Sequence, residues 1–246
     1  MIFKSVIFAG GRGSRLEEET KIIPKPLVKI NKVPIILRII ERYIKFNVKE
    51  FYILTGYKSE KFLNFFKSQK VKILEKTNNE IKILYKKKIL IYLIFTGLKA
   101  ETNFRLFKIK NKFKKNENFF LTYGDGLSDI NFYKEINHHL KSRKILTVSA
   151  VKPPARYGVL KISNKNTTFK EKVDTDNIWI NGGFFICNQK IFNFINKKNV
   201  SFEYGVMSKI SKINQLNAYK HTGTWIAIDT IRDKYNAEKL LKEYKI

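Results

Sequence analysis

Cysteine is almost absent from the 246-residue sequence: Cys187 is the single one. No internal disulfide can form, which suits a reducing compartment such as the cytoplasm. Acidic residues are scarce as well, with 21 Asp and Glu against 49 Lys and Arg. No apolar run approaches the roughly 20 residues that span a bilayer; the longest is Ile89 to Phe95. The stretch from Met1 to Phe8 is apolar but runs straight into Gly10-Gly11. It has no hydrophobic core and cleavage site of the secretory kind, so no signal peptide is expected. No repeat or linker composition divides the chain, and a single unit over 1–246 is expected. At 43% hydrophobic and 14% aromatic residues it is long enough and apolar enough to build a real core.

The net charge of +28 admits nucleic acid or an anionic surface as partner. Lysine, however, is spread along the whole chain beside abundant Ile, Asn and Phe, as AT-rich coding produces. No DNA- or RNA-binding motif accompanies it. The excess reads as compositional, no nucleic-acid partner is expected, and the charge still favours small anionic ligands.

Apolar β-branched runs alternate with segments of helical period. Ser5 to Ala9 reads as a buried strand that ends in glycines. Pro34 opens an amphipathic helix with Ile35, Ile36, Ile39, Ile40, Tyr43 and Ile44 on one face. Glu50 to Thr55 is the next strand, and Ser59 is expected to cap a helix through Phe66. Lys67 to Lys88 is weakly patterned. Ile89–Phe95 and Asn118–Tyr123 read as strands, Ile130–Ser142 as a helix and Ile145–Val151 as a strand. Beyond the Pro153-Pro154 turn come short strands at Gly158–Ser163, Thr168–Lys172 and Trp179–Cys187, and a closing helix from Arg232 to Tyr244. The alternation predicts an α/β fold, Rossmann-like, with a mixed but mainly parallel sheet flanked by helices.

Three sites carry chemistry. The first is Phe8-Ala9-Gly10-Gly11-Arg12-Gly13-Ser14-Arg15 at the end of the first strand. Ligands of parallel sheets bind at that end. Glycines let backbone N–H groups approach phosphate oxygens, and Ser14 and Arg15 add a hydroxyl and a cationic fork. The loop lacks the G-x-x-x-x-G-K-[ST] of a P-loop, and Leu16 stands where a Rossmann fingerprint has its third glycine. A plain strand-to-helix turn is the alternative. The second is Lys25 between Pro24 and Pro26, which hold its backbone extended and suit a phosphate contact, against the alternative of a solvated lysine. The third is the aspartates Asp125, between Gly124 and Gly126, and Asp229, after Ile226-Ala227-Ile228. Each follows an apolar run, as a Mg²⁺ ligand at a strand end does. The alternatives are an Asp-Gly turn for Asp125 and a helix N-cap for Asp229.

Taken in order, these pieces resemble the sugar-1-phosphate nucleotidyltransferases, most closely the glucose-1-phosphate cytidylyltransferases. The likeness spans nearly the whole chain. It rests on Ala9 to Leu16, Glu18-Glu19-Thr20, Pro24-Lys25-Pro26, Gly56-Tyr57-Lys58, Thr122 to Gly126, Glu171-Lys172, Ile180 to Phe185 and Asp229 to Lys234. The resemblance implies the nucleotide-diphospho-sugar transferase fold, with 1–150 as a nucleotide-binding half and 151–246 as a sugar-phosphate-binding half. It implies that Phe8, Ala9, Gly10, Gly11, Arg12, Gly13, Ser14, Arg15, Lys25, Arg105 and Gly124 receive CTP, with Arg15 and Lys25 catalytic. It further implies that Asp125 and Asp229 hold Mg²⁺, that Glu171, Lys172, Asn181 and Gly182 receive glucose 1-phosphate, and that the protein is a homo-oligomer. Another nucleotide or sugar phosphate, or a non-catalytic homologue, remains as an alternative. Nucleotidyl transfer needs in-line positioning and fixed positive charge rather than a general base, so His138, His139 and His221 are expected to be structural. Asn103-Phe104 replaces the family's Gly-Gly before Arg105, so the loop there is expected to change shape. The segment from Phe65 to Ile94 is shorter and more basic than in the family.

Overall fold

Val6 and Phe8 face one side of the first strand, Ile7 and Ala9 the other, and all four are buried. A strand apolar on both faces needs cover on both, and each pair enters a different core cluster. The structure, a computed structural model, describes residues 2–153, 159–162, 167–170 and 178–243. In chain order its elements are β1 (Lys4–Ala9), α1 (Glu17–Thr20), β2 (Lys29–Ile30), β3 (Val33–Pro34), α2 (Ile35–Ile44), β4 (Glu50–Thr55), α3 (Ser59–Ser68), β5 (Lys72–Lys76), β6 (Glu80–Tyr85) and β7 (Ile89–Phe95). There follow α4 (Thr102–Phe107), β8 (Asn118–Tyr123), β9 (Gly126–Ser128), α5 (Phe132–Ser142), β10 (Leu146–Val151), β11 (Val159–Ile162), β12 (Thr167–Lys170), β13 (Ile180–Asn188), α6 (Ser208–Lys212), β14 (Leu216–His221), β15 (Trp225–Ala227) and α7 (Ile231–Glu243).

One nine-stranded sheet carries the fold in the order β14-β10-β13-β8-β1-β4-β7-β6-β5. Only β13 and β6 run against the other seven. The chain winds outward from β1 through β4 to β7, then returns to place β8 on the other side of β1. That reversal opens a crevice at the carboxyl ends of β1 and β8, where doubly wound sheets bind ligands.

Helix α2 covers one face of the sheet. Pro34 precedes its first residue at φ −59° and ψ 143°, and Ile35, Ile36, Ile39, Ile40 and Tyr43 are buried. Tyr43 stacks on Phe132 at 4.6 Å. Truncating one of these isoleucines to alanine costs about 2–5 kcal/mol, since a close-packed core leaves a cavity behind. On the opposite face α4 and a π-helical turn at Glu203–Met207 contribute Leu106 and Val206 to the second cluster.

Two expectations change. Ser59 is the first residue of α3 and not its cap; Lys58, in the left-handed region at φ 51°, takes the cap position with no side-chain bond. The weakly patterned Lys67–Lys88 stretch holds the hairpin β5–β6 at the sheet's edge. Every residue of β5 is exposed, so burial imposes no hydrophobic period on it. Glu171 and Lys172 lie outside the described residues.

Candidate active site

The glycine loop leaves β1 at the centre of the sheet, and its shape is held from beneath. Gly13 has φ +67°, a left-handed conformation that favours glycine. Its carbonyl accepts from Leu16 N at 3.0 Å and from Thr20 Oγ1 at 3.1 Å. The Gly10 carbonyl accepts from Tyr57 N at 3.1 Å and from Arg105 Nη2 at 2.9 Å. Gly10, Gly11, Arg12, Gly13, Ser14 and Arg15 line a cavity of about 540 Å³ together with Phe8, Ala9, Lys25, Arg105, Gly124 and Asp125. Leu98, Lys99, Ala100, Glu101 and Thr102 complete the lining with Pro26 and Tyr123. The crevice therefore gathers every residue expected to meet the nucleotide.

Lys25 enters this crevice through the extended Pro24, at φ −67° and ψ 145°, and a short 3₁₀ turn. It is 8% exposed. Its ammonium donates to Asp125 Oδ2 at 2.7 Å and to Asp229 Oδ1 at 2.7 Å. Arg15, largely exposed, donates from Nη1 to Asp229 Oδ2 at 3.0 Å. The two aspartates converge because β9 and β15 pair antiparallel with Gly126 opposite Ala227, and because Ile228 N donates to the Asp125 carbonyl at 3.0 Å. Asp229 is not the cap of α7. Thr230 and Asp233 form a reciprocal capping box, with Thr230 N on Asp233 Oδ2 at 2.9 Å and Asp233 N on Thr230 Oγ1 at 3.2 Å. The Asp229 side chain is thereby left to face Lys25 and Arg15.

Among the described residues no cluster of three or more His, Cys, Asp or Glu side chains forms a complete metal cage. The donor set instead is two hard carboxylates already drawn onto one cation. Mg²⁺ is commonly held by one or two carboxylates, substrate phosphate oxygens and water, and this pair fits that role.

Arg105 is buried at 3% exposure. Its Nη1 donates to the Thr55 carbonyl at 2.9 Å, to Thr96 Oγ1 at 2.5 Å and to the Gly97 carbonyl at 3.2 Å. Burial lowers its pKa to about 10, with Glu101 opposing the shift, so it stays charged at neutral pH. Asn103, standing where the resemblance leads one to expect glycine, lies in α4. Its Nδ2 donates to the carbonyls of Asn196 at 3.0 Å and Lys198 at 2.7 Å. The changed residue ties the helix that carries Arg105 to the segment before the π turn.

The expected sugar residues sit across β8 from the glycine loop. Gly183 accepts at its carbonyl from Thr122 Oγ1 at 2.9 Å, which holds β13 beside the end of β8. Asn181 is exposed, and its Oδ1 accepts from Gly183 N at 2.8 Å. The Gly182 carbonyl accepts from Trp225 Nε1 at 2.7 Å. Trp225 was not singled out in the sequence, although it precedes Asp229 by four positions on the same short run. Tyr123, also missed, lines the cavity and donates its hydroxyl to Glu203; burial first, then Glu203, pushes its pKa far above normal. The histidines stay out of the cavity. His139 meets Thr147 Oγ1 at 2.8 Å, His138 the Ala218 carbonyl at 3.1 Å, and His221 both Ser128 and Asp129.

The profile of the nucleotidyl transferase family matches residues 4–241. Among curated proteins, the glucose-1-phosphate cytidylyltransferase of Salmonella typhimurium is 34% identical over 249 residues, covering 98% of this chain and 97% of that protein. A probable glucose-1-phosphate cytidylyltransferase of Bacillus subtilis is 35% identical over 244 residues, covering 96% and 95%. Among solved structures, UDP-glucose pyrophosphorylase complexed with UDP-glucose superposes with a TM-score of 0.70 at 16% identity, covering 99% of each chain. That last likeness speaks for the fold alone. Among the described residues, no helix is long and apolar enough to cross a membrane. The chain belongs to the nucleotidyl transferase family, and it is an enzyme of sugar-1-phosphate nucleotidyl transfer.

Proposed function

We propose that the chain transfers the cytidylyl group of CTP to α-D-glucose 1-phosphate, giving CDP-glucose and pyrophosphate for deoxysugar or surface-polysaccharide synthesis. The observation that carries this is the meeting of Lys25, Asp125 and Asp229 beside a glycine-lined crevice, of which Lys25 and Asp125 form part of the lining. The two curated relatives support the choice of CTP and glucose 1-phosphate. A phosphate oxygen of the sugar phosphate attacks the α-phosphorus in line. The bond from that phosphorus to the bridging oxygen breaks, and pyrophosphate leaves with the electron pair. The attacking phosphate is already an anion, so no side chain has to remove a proton. The backbone N–H groups of Gly11 to Ser14 receive the phosphates, and Arg12 and Arg15 reach them from the rim. Lys25 and Arg15 supply fixed cations where negative charge grows, which lowers the barrier without reorganisation. Mg²⁺, held by Asp125 and Asp229, would neutralise the triphosphate and stabilise the leaving pyrophosphate. Asn181 and Gly182, with Glu171 and Lys172, would receive the sugar phosphate.

The cytoplasm is the compartment in this reading, in keeping with the buried free thiol of Cys187. A homo-oligomer is expected, and light scattering on the purified protein tests it. The decisive experiment is pyrophosphate release with Mg²⁺ across CTP, UTP, dTTP, ATP and GTP, each with a panel of sugar 1-phosphates. Turnover with CTP and glucose 1-phosphate at least about tenfold above every other pair is expected. Preference for another nucleotide would move the reading to that base, and no release with any pair would remove catalysis.

A further inference from the structure

The Arg105 guanidinium spends four hydrogen bonds inside the protein. They go to groups at the ends of three adjacent parallel strands: Gly10 after β1, Thr55 at the end of β4, and Thr96 and Gly97 after β7. Parallel strands release their chains in divergent directions at that end, and single backbone bonds cross from one to the next, Tyr57 N to the Gly10 carbonyl at 3.1 Å and Thr96 N to the Thr55 carbonyl at 3.0 Å. Arg105 joins them. Thr96 completes the arrangement by donating Oγ1 to the Thr55 carbonyl at 2.8 Å while accepting from Arg105. The fit under the loop is close: a Cβ built on Gly10 would lie 2.1 Å from Arg105 Nη1, and one on Gly56 would lie 2.6 Å from it. The guanidinium also lines the cavity, but Thr96 does not. The acceptors are all uncharged, and Glu101 raises the guanidinium's pKa only against a larger lowering by burial. The charge so held lies at the cavity lining, against the Gly10 carbonyl.

We propose that Arg105 is a positioning residue, which from inside the fold clamps the Gly10 peptide and the ends of β4 and β7 into the shape that receives a polyphosphate. It acts through the loop it holds, rather than as a ligand that reaches out to the nucleotide. The proposal rests on reading the cavity as the nucleotide site. A planar fork suits the task, because it spreads four donated bonds over two nitrogens, whereas an ammonium offers three donors from a single point.

The test compares wild type with Arg105→Lys, Arg105→Gln and Thr96→Val. It uses two readouts that do not depend on the base or the sugar. The first is hydrogen–deuterium exchange of residues 10–16 in the ligand-free protein. The second is affinity for inorganic tripolyphosphate with Mg²⁺. Steady-state KM values for CTP and glucose 1-phosphate are added. Arg105→Gln is expected to raise loop exchange by about tenfold and to weaken tripolyphosphate by a similar factor, as loss of hydrogen bonds to a charged group would. Exchange in α2 and α5 and the KM for the sugar phosphate should stay within about twofold. Arg105→Lys should fall between wild type and Arg105→Gln. Thr96→Val, which leaves the charge in place and touches no ligand, should shift both readouts in the same direction by about threefold. Wild-type exchange of the free loop in the Arg105 variants, together with weak tripolyphosphate binding, would make Arg105 a direct ligand and overturn the proposal. Unchanged tripolyphosphate affinity in Thr96→Val and Arg105→Lys would overturn it too. If Arg105→Gln fails to fold, those two milder variants decide. Wild type that binds no tripolyphosphate would sink the nucleotide reading itself, and this proposal with it.

Discussion

Lys25 Nζ and Asp229 Oδ1 lie 2.7 Å apart, although 204 residues separate them in the chain. The same ammonium reaches Asp125 Oδ2 at 2.7 Å. Two carboxylates this close repel each other unless a cation stands between them. In the free protein Lys25 is that cation; were Mg²⁺ to take its place between the carboxylates, the ammonium would be free to meet the α-phosphate.

Lys25→Met should therefore act in two opposite ways. Turnover should fall by at least about a hundredfold, the usual loss for a preorganised charge at a transition state. Affinity for Mn²⁺ in the absence of nucleotide should rise, because a competing positive charge has gone and the carboxylates are left unneutralised. Paramagnetic titration of free Mn²⁺ reads this directly. Weaker Mn²⁺ binding in Lys25→Met would show that the lysine does not occupy the cation's place.

Asp125→Asn and Asp229→Asn should each cut turnover by about a thousandfold or more if both act through one ion. Each variant leaves the buried Lys25 ammonium one carboxylate partner, and neither aspartate side chain is fully buried, at 35% and 20% exposure, so the melting temperature should change by only a few degrees. The double variant should be no slower than the worse single one, since groups that act as a unit are not additive. Multiplicative losses in that double-variant kinetic cycle would assign the aspartates to separate tasks.

Much of this was legible in the sequence because the relevant segments are buried on two sides. β1 and β4 read as unbroken apolar runs, and α2 as a stripe of isoleucines behind a proline. The cavity residues from Phe8 to Arg15 follow at once from where β1 stops. The convergence of Asp125 and Asp229 was not legible. It depends on β9 and β15, three-residue strands too short to show a period. β5 was missed because all five of its residues face solvent. The capping box of Thr230 and Asp233 stood in the sequence as [ST]-x-x-[DE], and it would have freed Asp229 from the cap in advance. The arrangement around Arg105 left no trace, since three of its four acceptors are backbone carbonyls. A carbonyl is present whatever residue carries it.

Neighbouring glycines in the loop should fail differently. A Cβ on Gly10 runs into Arg105, whereas one on Gly11 meets nothing within 4 Å. Gly11→Ala should fold and melt like wild type, and its new methyl should project into open space on the loop. Loss of nucleotide affinity by about tenfold or more with unchanged melting is expected there, if that space belongs to the phosphates. Gly10→Ala should lose nucleotide affinity and stability together, because a buried, hydrogen-bonded guanidinium has to move. Calorimetric titration beside thermal melting separates the two. Equal behaviour of the two variants would mean that the loop is not held from beneath as the geometry indicates.

On the far face of the sheet, Glu135 and His139 stand one turn apart on α5 and both turn toward β10. Ser149 Oγ donates to Glu135 Oε1 at 2.5 Å, and His139 Nδ1 meets Thr147 Oγ1 at 2.8 Å. Burial pushes the Glu135 carboxyl up to about 7 from 4.5, with the Ser149 bond opposing, and pushes His139 down to about 4 from 6.5, with His138 adding to the shift. For Glu135 the folded protein holds a proton that the unfolded chain has released. Its contribution to stability is present below pH 4.5 and is lost as pH rises through about 7. For His139 the unfolded chain takes up a proton that the folded protein refuses. Its contribution is present above pH 6.5 and is lost as pH falls through about 4. Between pH 4.5 and 6.5 the two slopes oppose and largely cancel. Single substitutions should expose them. Relative to wild type, Glu135→Gln should gain stability as pH rises from 4.5 to 7, and His139→Gln should lose it from 4 to 6.5. Each change amounts to at most about 3 kcal/mol. Urea unfolding at pH 4.5, 5.5 and 7 reads both differences, and slopes of the same sign in the two variants would show that these groups do not titrate as their burial requires.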